Sequence, residues 1–124
     1  MAALKNKKAT SESGFIHSRN GSLVLNAPAC IITYDTHLRI TGWNPFAEKT
    51  FGYKMGETMG QKLIDIIVHH TQLNEDLASF KKALEGESII ESTQYRPIKN
   101  GSLITVTESL FPIHNQENEV IGGT

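Results

Sequence analysis

The stretch from residue 31 to residue 53 restricts the fold of this chain more than any other, because it encodes three consecutive elements. Two short apolar segments flank a polar turn that starts at Asp35, which is typical of a β-hairpin. Asn44 follows as a good helix N-cap, and Pro45 suits the first helical position. Gly52 then provides a natural helix stop. The sequence therefore predicts two strands followed at once by a short capped helix.

The composition is that of one ordinary globular domain. The chain has 124 residues, of which 39% are hydrophobic and 20% are charged, enough for a single core. Its net charge of -1 predicts neither a nucleic-acid partner nor contact with an anionic membrane. No apolar run approaches the roughly 18 residues of a membrane helix, and residues 1–13 lack the apolar stretch of a secretory signal. We therefore expect a cytoplasmic location, and the single cysteine, Cys30, fits a reducing compartment.

The clearest helix signal runs over residues 71–85. Thr71 suits the N-cap of this helix, and Gly86 suits its end. Four apolar residues recur at helical spacing and form one stripe, which we expect to face the core: Leu73, Leu77, Phe80 and Leu84. Residues 63–68 form a shorter apolar stretch that periodicity alone assigns to neither a helix nor a strand.

Three strands are predicted in the last third of the chain. Residues 88–98 and 102–113 are rich in strand-forming side chains, and Asn100-Gly101 between them is typical of a type I′ hairpin turn. Residues 114–119 form a polar turn, and Val120 begins another strand. Two strands, several helices and three more strands predict an α+β fold with a largely antiparallel sheet.

This order of elements, together with three short motifs, resembles a PAS domain, a small sensory module of signalling proteins. The motifs are Asn44 with Phe51-Gly52-Tyr53, Gly60 ahead of the apolar residues 63–68, and Asn100-Gly101-Ser102. The resemblance covers residues 27–124 and makes residues 63–68 a short helix. It implies a five-stranded antiparallel sheet, with short helices and one longer helix packed on one face and a pocket between the two layers. Residues 1–26 are then a flexible tail with a short lead helix around residues 22–26.

The resemblance also suggests how the chain is used. In PAS domains the last strand usually continues beyond the position of residues 122–124, so we expect this sequence to be a piece of a longer signalling protein. A covalently linked effector domain would then be its partner. We also expect a homodimer that forms through residues 15–25 and the outer face of the sheet.

The implied pocket lies between the helices and the sheet, and it is the candidate site for a small ligand. The residues expected to face it are Ile32, Tyr34, Ile64, Ile67, Leu77, Phe80, Ile104 and Val106. This assignment depends on strand register, which a sequence does not fix. The sequence predicts no catalytic residue, and it names no cofactor.

His69 and His70 are the most suggestive metal-binding residues. Neighbours in a helix point about 100° apart, however, so the two imidazoles do not easily chelate one ion. No cluster at metal-site spacing accompanies them, so we predict a solvated loop and no metal site. PAS domains that hold haem usually carry the ligating histidine within the long helix, and residues 71–85 contain no histidine. Haem is therefore not supported.

Two further residues could indicate a cofactor. Flavin photosensors of the PAS family use a cysteine on the short helices after the hairpin, and residues 55–68 contain none. We expect Cys30 to be a small buried hydrophobic residue. Non-covalent flavin binding stays open, because it needs only an apolar slot and a few polar groups. Trp43 could stack on a ligand, but packing at the strand–helix junction is the favoured interpretation.

Three functions are compatible with these observations. The first is a PAS sensor or regulatory domain of a multidomain protein such as a histidine kinase, a cyclic-dinucleotide enzyme or a transcription regulator. The second is a ligand-free interaction or dimerisation module with a packed interior. The third, a small α+β enzyme, is disfavoured because the sequence contains no nucleophile elbow, phosphate loop or metal signature.

Overall fold

The structure is a computed structural model that describes residues 28–124. Six strands are present: β1 (Ile32–Asp35), β2 (Ile40–Trp43), β3 (Ile89–Pro97), β4 (Leu103–Leu110), β5 (Pro112–His114) and β6 (Val120–Gly123). The helices are α1 (Pro45–Phe51), α2 (Met55–Thr58), α3 (Leu63–Ile67) and α4 (Leu73–Leu84), with a 3-10 turn at His70–Gln72. The predicted tail, the lead helix at residues 22–26 and the dimerisation segment at residues 15–25 lie outside the described residues.

The first three elements form as their local sequence predicts. The Asp35 carboxylate accepts hydrogen bonds from the backbone N–H groups of His37 and Arg39, at 2.8 and 3.0 Å, and these bonds close the β1–β2 turn. The Asn44 side chain accepts a bond from Ala47 N at 3.0 Å and caps α1. Gly52 ends α1 with a φ of 87°, a left-handed value that favours glycine. The predicted hairpin and capped helix are confirmed.

All strand pairs are antiparallel, which confirms the α+β class. β2, β1, β6 and β5 form one sheet in that order, and β3 pairs with β4. The predicted strand over residues 102–113 is broken into β4 and β5 at Phe111. Pro112, which has no N–H to donate, follows this break. Phe111 still exchanges both backbone hydrogen bonds with Thr124, so β4 and β5 together lie where one strand of a five-stranded sheet would lie.

The β3–β4 hairpin turn occurs at the predicted place, but its predicted type is wrong. A type I′ turn needs positive φ at both central residues, whereas Gly101 has a φ of 93° and Asn100 does not have a positive φ. Gly101 N donates to Ile98 O at 2.8 Å, and Asn100 Oδ1 accepts from Ser102 N at 2.9 Å. Ile98 N also donates to Ser102 O at 2.8 Å, so Lys99 and Asn100 are the central residues of the turn. Only Gly101, which follows them, is left-handed.

The long helix forms, but its start and its buried face differ from the prediction. Thr71 is not the cap; His69 caps the preceding 3-10 turn and accepts from Thr71 N at 3.3 Å. Leu73 is 37% exposed, whereas Asp76, Phe80 and Ala83 are buried. The inner face is thus rotated by about one residue from the predicted apolar stripe, because Asp76 points toward a cation on the sheet.

The core lies between the helices and one face of the sheet. Its buried apolar members are Tyr34, Ile40, Trp43, Ala47, Phe51, Leu63, Ile67, Phe80, Ala83 and Leu110. α3 forms where the PAS resemblance places it, and it contributes two of these residues. No helix within the described part of the chain is both long and apolar enough to span a membrane.

Candidate functional site

A buried arginine lies at the centre of the layer between α4 and the sheet. Side chains alternate along β3, and Ser92, Gln94 and Arg96 face inward while Thr93 and Tyr95 are exposed. Arg96 is only 1% exposed, which is unusual for a charged side chain. Such a group requires partners that replace its lost hydration.

Two carboxylates from different elements supply those partners. Arg96 Nη1 and Nη2 donate to Asp76 of α4, at 2.8 and 3.1 Å. Arg96 Nε and Nη2 donate to Glu108 of β4, at 3.1 and 2.7 Å. Both pairs are bidentate, the geometry in which guanidinium and carboxylate match best. The cluster of Asp76, Arg96 and Glu108, called the charge cluster below, joins α4 to both strands of the β3–β4 pair.

The electrostatics of the charge cluster keep the guanidinium ionised. Burial opposes the charge on Arg96, but the hydrogen bonds and charges of Glu108 and Asp76 outweigh this effect and raise the pKa of Arg96 above its ordinary value. One cation faces two acidic groups, so the ionised cluster carries a formal charge of 1 - 2 = -1. The Glu108 side chain is 20% exposed, whereas that of Asp76 is 5% exposed, so water reaches the cluster from the Glu108 side.

Tyr34 brings a hydroxyl group into the same layer. Its ring packs edge-on against Phe80, with 5.7 Å between ring centroids, and the Arg96 guanidinium lies 5.9 Å from the centre of that Phe80 ring. Tyr34 is 2% exposed, yet its hydroxyl finds no hydrogen-bond partner among residues 28–124. Burial, and then the charge of Glu108, raise the pKa of the Tyr34 hydroxyl above its ordinary value, so it stays protonated.

The backbone of β6 makes room for this tyrosine. Gly123 pairs with Tyr34 across the sheet, and a Cβ atom at Gly123 would overlap the tyrosine ring and hydroxyl. The absence of a side chain on the central strand therefore determines where the Tyr34 hydroxyl lies.

A second buried polar atom lies one helical turn before Asp76. The side-chain oxygen of Gln72 is buried and, within the described region, has no hydrogen-bond donor. Tyr34 and Gln72 thus each carry a buried polar atom with unused hydrogen-bonding capacity within residues 28–124.

Comparison with known proteins identifies the fold. A family profile described as "PAS fold" matches residues 19–124. The chain belongs to the PAS family. PAS domains are sensory modules of signalling proteins. The match confirms the resemblance suggested by the sequence motifs.

Solved structures of other PAS-fold proteins superpose on the chain. The PAS domain of a protein from Colwellia psychrerythraea has a TM-score of 0.76 and 16% identity, over 85% of this chain and 88% of that one. The Rhodobacter sphaeroides LOV protein has a TM-score of 0.69 and 14% identity, over 82% and 59% of the two chains. VqmA bound to DPO has a TM-score of 0.68 and 14% identity, over 82% and 52%. These identities show the fold alone, and a search of curated proteins gave no match.

The predicted pocket residues of this PAS domain lie around the same interior layer. Tyr34, Ile67 and Phe80 are buried in the core. Ile32, Ile64 and Ile104 are partly buried and pack against the core. Leu77 and Val106 are partly exposed, and Val106 shares the inner face of β4 with Ile104 and Glu108. That these residues bind a ligand stays a prediction.

The three charged residues of this layer were missed by the sequence analysis. The inner face of the long helix was predicted from its apolar residues alone, which leaves out Asp76. The alternation of inward and outward side chains in a strand was not used to place Arg96. A signal was present, because Ser92, Gln94 and Arg96 alternate with Thr93 and Tyr95 and define a polar face. A polar inner face predicts a buried polar network, although it does not identify the partners.

The remaining candidate residues have local roles. Trp43 is buried and its indole N–H donates to Tyr53 O at 3.0 Å, which confirms the packing interpretation. His69 and His70 have ring centroids 4.3 Å apart, and His69 Nδ1 lies 2.7 Å from the Thr71 hydroxyl. Over residues 28–124, no three His, Cys, Asp or Glu side chains are close enough together to hold a metal ion.

The prediction for Cys30 is wrong. This residue is exposed rather than buried, because it precedes β1 and is not part of the sheet. Its thiol lies 3.8 Å from the carbonyl oxygen of Phe46 at the start of α1.

Proposed function

We propose that this PAS domain is the cytoplasmic sensory segment of a multidomain signalling protein such as a histidine kinase, a cyclic-dinucleotide enzyme or a transcription regulator. A small ligand would bind between α4 and the sheet, and a linked effector domain would respond to the change. The domain would have no catalytic activity of its own. Support comes mainly from one observation, the buried Tyr34 hydroxyl that has no hydrogen-bond partner within residues 28–124.

An unsatisfied buried polar group favours ligand binding for an energetic reason. Leaving such a group without a partner costs about 1–3 kcal/mol, and a ligand that bonds to it removes this cost. The Gln72 side-chain oxygen adds a second group of the same kind on the helix side. A ligand that reaches both groups would contact the sheet and the segment leading into α4 at once.

The charge cluster supplies the connection from this site to the rest of the domain. Asp76 belongs to α4, Arg96 to β3 and Glu108 to β4, so a ligand that shifts one of them changes the position of the others. Because both ion pairs are bidentate, a small rotation of α4 would break bonds rather than stretch them. This arrangement would allow a switch between two discrete states, as a sensor requires.

The structural neighbours give further support. VqmA is described as bound to DPO, and its structure has a TM-score of 0.68 to this chain. A protein with a region of similar fold is therefore described in a bound form. Because identity is only 14%, the nature of the ligand does not transfer.

Mass spectrometry of the purified protein tests this function. The protein is denatured after its visible absorption spectrum has been recorded, and the supernatant is searched for a released small molecule. A metabolite panel is then screened by thermal shift on the wild type and on Tyr34→Phe. We expect a ligand that raises the melting temperature of the wild type more than that of Tyr34→Phe. A ligand-free protein that responds to nothing in the panel would contradict the proposal.

A second candidate function is a ligand-free dimerisation or docking module. Four apolar side chains of the strands are about half exposed or more: Ile90 (59%), Tyr95 (52%), Leu103 (51%) and Ile121 (49%). Tyr95 and Leu103 lie on the outer face of the β3–β4 pair. Leu103 lies opposite Pro97, which is two residues from Tyr95 and therefore on the same face of β3. Such a surface would suit a second copy of the domain.

Sedimentation velocity separates the two functions. A chain that retains residues 12–26 is examined at rising concentration, alone and with Tyr95→Glu and Leu103→Glu combined. A dimer that the double variant abolishes, in a protein with no ligand response, favours the docking module. A monomer at high concentration removes the predicted homodimer.

A further inference from the structure

We propose that the site beside Tyr34 takes a small organic cation with N–H donors, such as an amidinium or ammonium group, and rejects carboxylates and phosphates. This inference rests on the proposed sensory function and specifies its ligand class. It reverses the usual expectation for a buried arginine, which is recognition of an anion.

The first argument is that Arg96 has no donor left for an anionic ligand. A guanidinium group has five N–H donors. Glu108 accepts from Nε and Nη2, and Asp76 accepts from Nη1 and Nη2. The remaining Nη1 donor is directed to Ile67 O at 3.4 Å. An incoming anion would have to displace a bidentate carboxylate, which is a strong bond in a buried setting.

The second argument is the sign of the charge. Arg96 neutralises one of the two carboxylates, so the cluster keeps a formal charge of 1 - 2 = -1 in a layer where Arg96 and Asp76 are almost fully buried. A cation that reaches Glu108 from its exposed side would be attracted to this excess, and an anion would be repelled. Both effects are stronger here than at the surface, because the interior screens charge poorly.

The third argument comes from Tyr34, independently of the charges. Its hydroxyl is buried and unpartnered in the described structure, and its ring meets Phe80, the same ring that Arg96 faces. A protonated phenol oxygen accepts a hydrogen bond from an N–H donor, and aromatic rings favour a nearby cation. An amidinium group would satisfy the hydroxyl and the excess charge together.

Three probes of one shape test the proposal: benzamidinium, benzamide and benzoate. Each is titrated into the protein, and backbone amide NMR signals of Tyr34, Phe80 and Glu108 are followed. We expect saturable shifts with benzamidinium, at a dissociation constant at least about tenfold below that of benzamide, and no saturation with benzoate. Tightest binding of benzoate, equal binding of all three, or no saturable shift with any of them would overturn the proposal.

Three variants show whether the charge cluster causes the preference. Glu108→Gln removes the excess charge, and we expect the preference for benzamidinium over benzamide to fall below about threefold. Tyr34→Phe keeps the ring and the packing, so it remains usable if Glu108→Gln does not fold, and it should weaken benzamidinium severalfold. Glu87→Gln removes a carboxylate from an exposed residue and should leave all three constants unchanged. Unchanged selectivity in both site variants would overturn the proposal.

These results are separable from the test of sensing itself. A released natural ligand that is an anion would support the sensory function and overturn the cation preference. A ligand-free protein that responds to no metabolite, but binds benzamidinium at Tyr34, would support the cation preference and remove the sensory function.

Discussion

Two regions of this PAS domain are each held together by polar contacts, but the bonded residues are close in sequence in one region and distant in the other. In the segment from β1 to α1, Asp35 bonds to residues two and four positions later, and Asn44 bonds to Ala47 three positions later. In the layer around α4, Arg96 bonds to residues 12 and 20 positions away. The first region forms its bonds when a short piece of chain folds, whereas the second needs the helix and both strands in place.

The two regions therefore differ in what they can contribute to ligand binding. Asp35 and Asn44 of the β1–α1 segment form hydrogen bonds that fix its architecture. The Tyr34 hydroxyl of β1 differs, because it belongs to the interior layer and has no partner within residues 28–124. The interior layer brings together three charges and the unpartnered Tyr34 hydroxyl from separate elements. A ligand site requires such groups, because a motif whose polar groups are all hydrogen-bonded has no donor or acceptor free for a ligand. The following changes test that contrast.

The largest effect is expected from Arg96→Met. The change leaves Asp76 and Glu108 without their common cation, and breaking a buried ion pair in this way costs about 3–5 kcal/mol. Urea unfolding followed by circular dichroism measures the loss. Arg39→Met is the matched control, because its guanidinium donates to Gly60 O at an exposed site and should cost less than about 1 kcal/mol.

A triple substitution tests whether unpaired buried charges cause the loss. Replacing Arg96, Asp76 and Glu108 together by Met, Leu and Leu removes the unpaired charges, so stability should return close to the wild-type value. If Arg96→Met lowered the free energy of unfolding no more than Arg39→Met, the charge cluster would not be what holds α4 to the sheet.

Asn44→Ala is expected to have the next largest effect. Its side-chain oxygen accepts from Ala47 N and Ile31 N, and its amide donates to Ala29 O at 2.7 Å. Loss of the cap and of the bond to Ile31 should lower the free energy of unfolding by about 2–3 kcal/mol. Asn44→Ser keeps a capping oxygen without placing a second oxygen against Ala29 O, and it should retain more of this stability than Asn44→Ala. Equal losses in both variants would show that the donor, not the cap, is what matters.

Gly123→Ala should cost about 1–3 kcal/mol, because the new Cβ would overlap the Tyr34 ring and shift the hydroxyl. Gly56→Ala is its control: nothing lies within 4 Å of a Cβ there, and alanine is the better helix former, so stability should rise by up to about 1 kcal/mol. Thermal unfolding compares the two. Tolerance of Gly123→Ala would mean that β6 does not position Tyr34.

The smallest effect concerns pH. Backbone hydrogen bonds, first of all from Arg39, lower the pKa of Asp35 below its ordinary value of 3.8. A depressed carboxylate pKa stabilises the fold above the unfolded value, and this contribution is lost as pH falls through the folded value. Asp35→Asn keeps the turn acceptor but should flatten the decline in stability below about pH 4, by less than 1 kcal/mol at so exposed a site. An unchanged decline in acid unfolding curves would contradict this assignment.

The success of the sequence analysis follows the same division. Asp35, Asn44 and Gly52 were assigned correctly, because the turn or cap bond that defines each role runs to a residue within four positions. The Asn100-Gly101 turn was placed correctly but given the wrong type, since its closing bond joins Gly101 to Ile98 and only Gly101 is left-handed. The face of α4 was wrong by about one residue, because the attraction between Asp76 and a distant arginine outweighed the apolar periodicity.

The amino-acid sequence by itself determined the order of the elements, the turn and the caps between β1 and the end of α1, and the likeness to the PAS family. These depend on local backbone preferences, which a few neighbouring side chains fix. Only the tertiary structure decided that Arg96 is buried between Asp76 and Glu108. It also decided that Gly123 makes room for the Tyr34 hydroxyl, which has no partner in residues 28–124. The reason is physical: charge pairing and close packing act between residues that are near in space, and the sequence does not state which distant residues will meet.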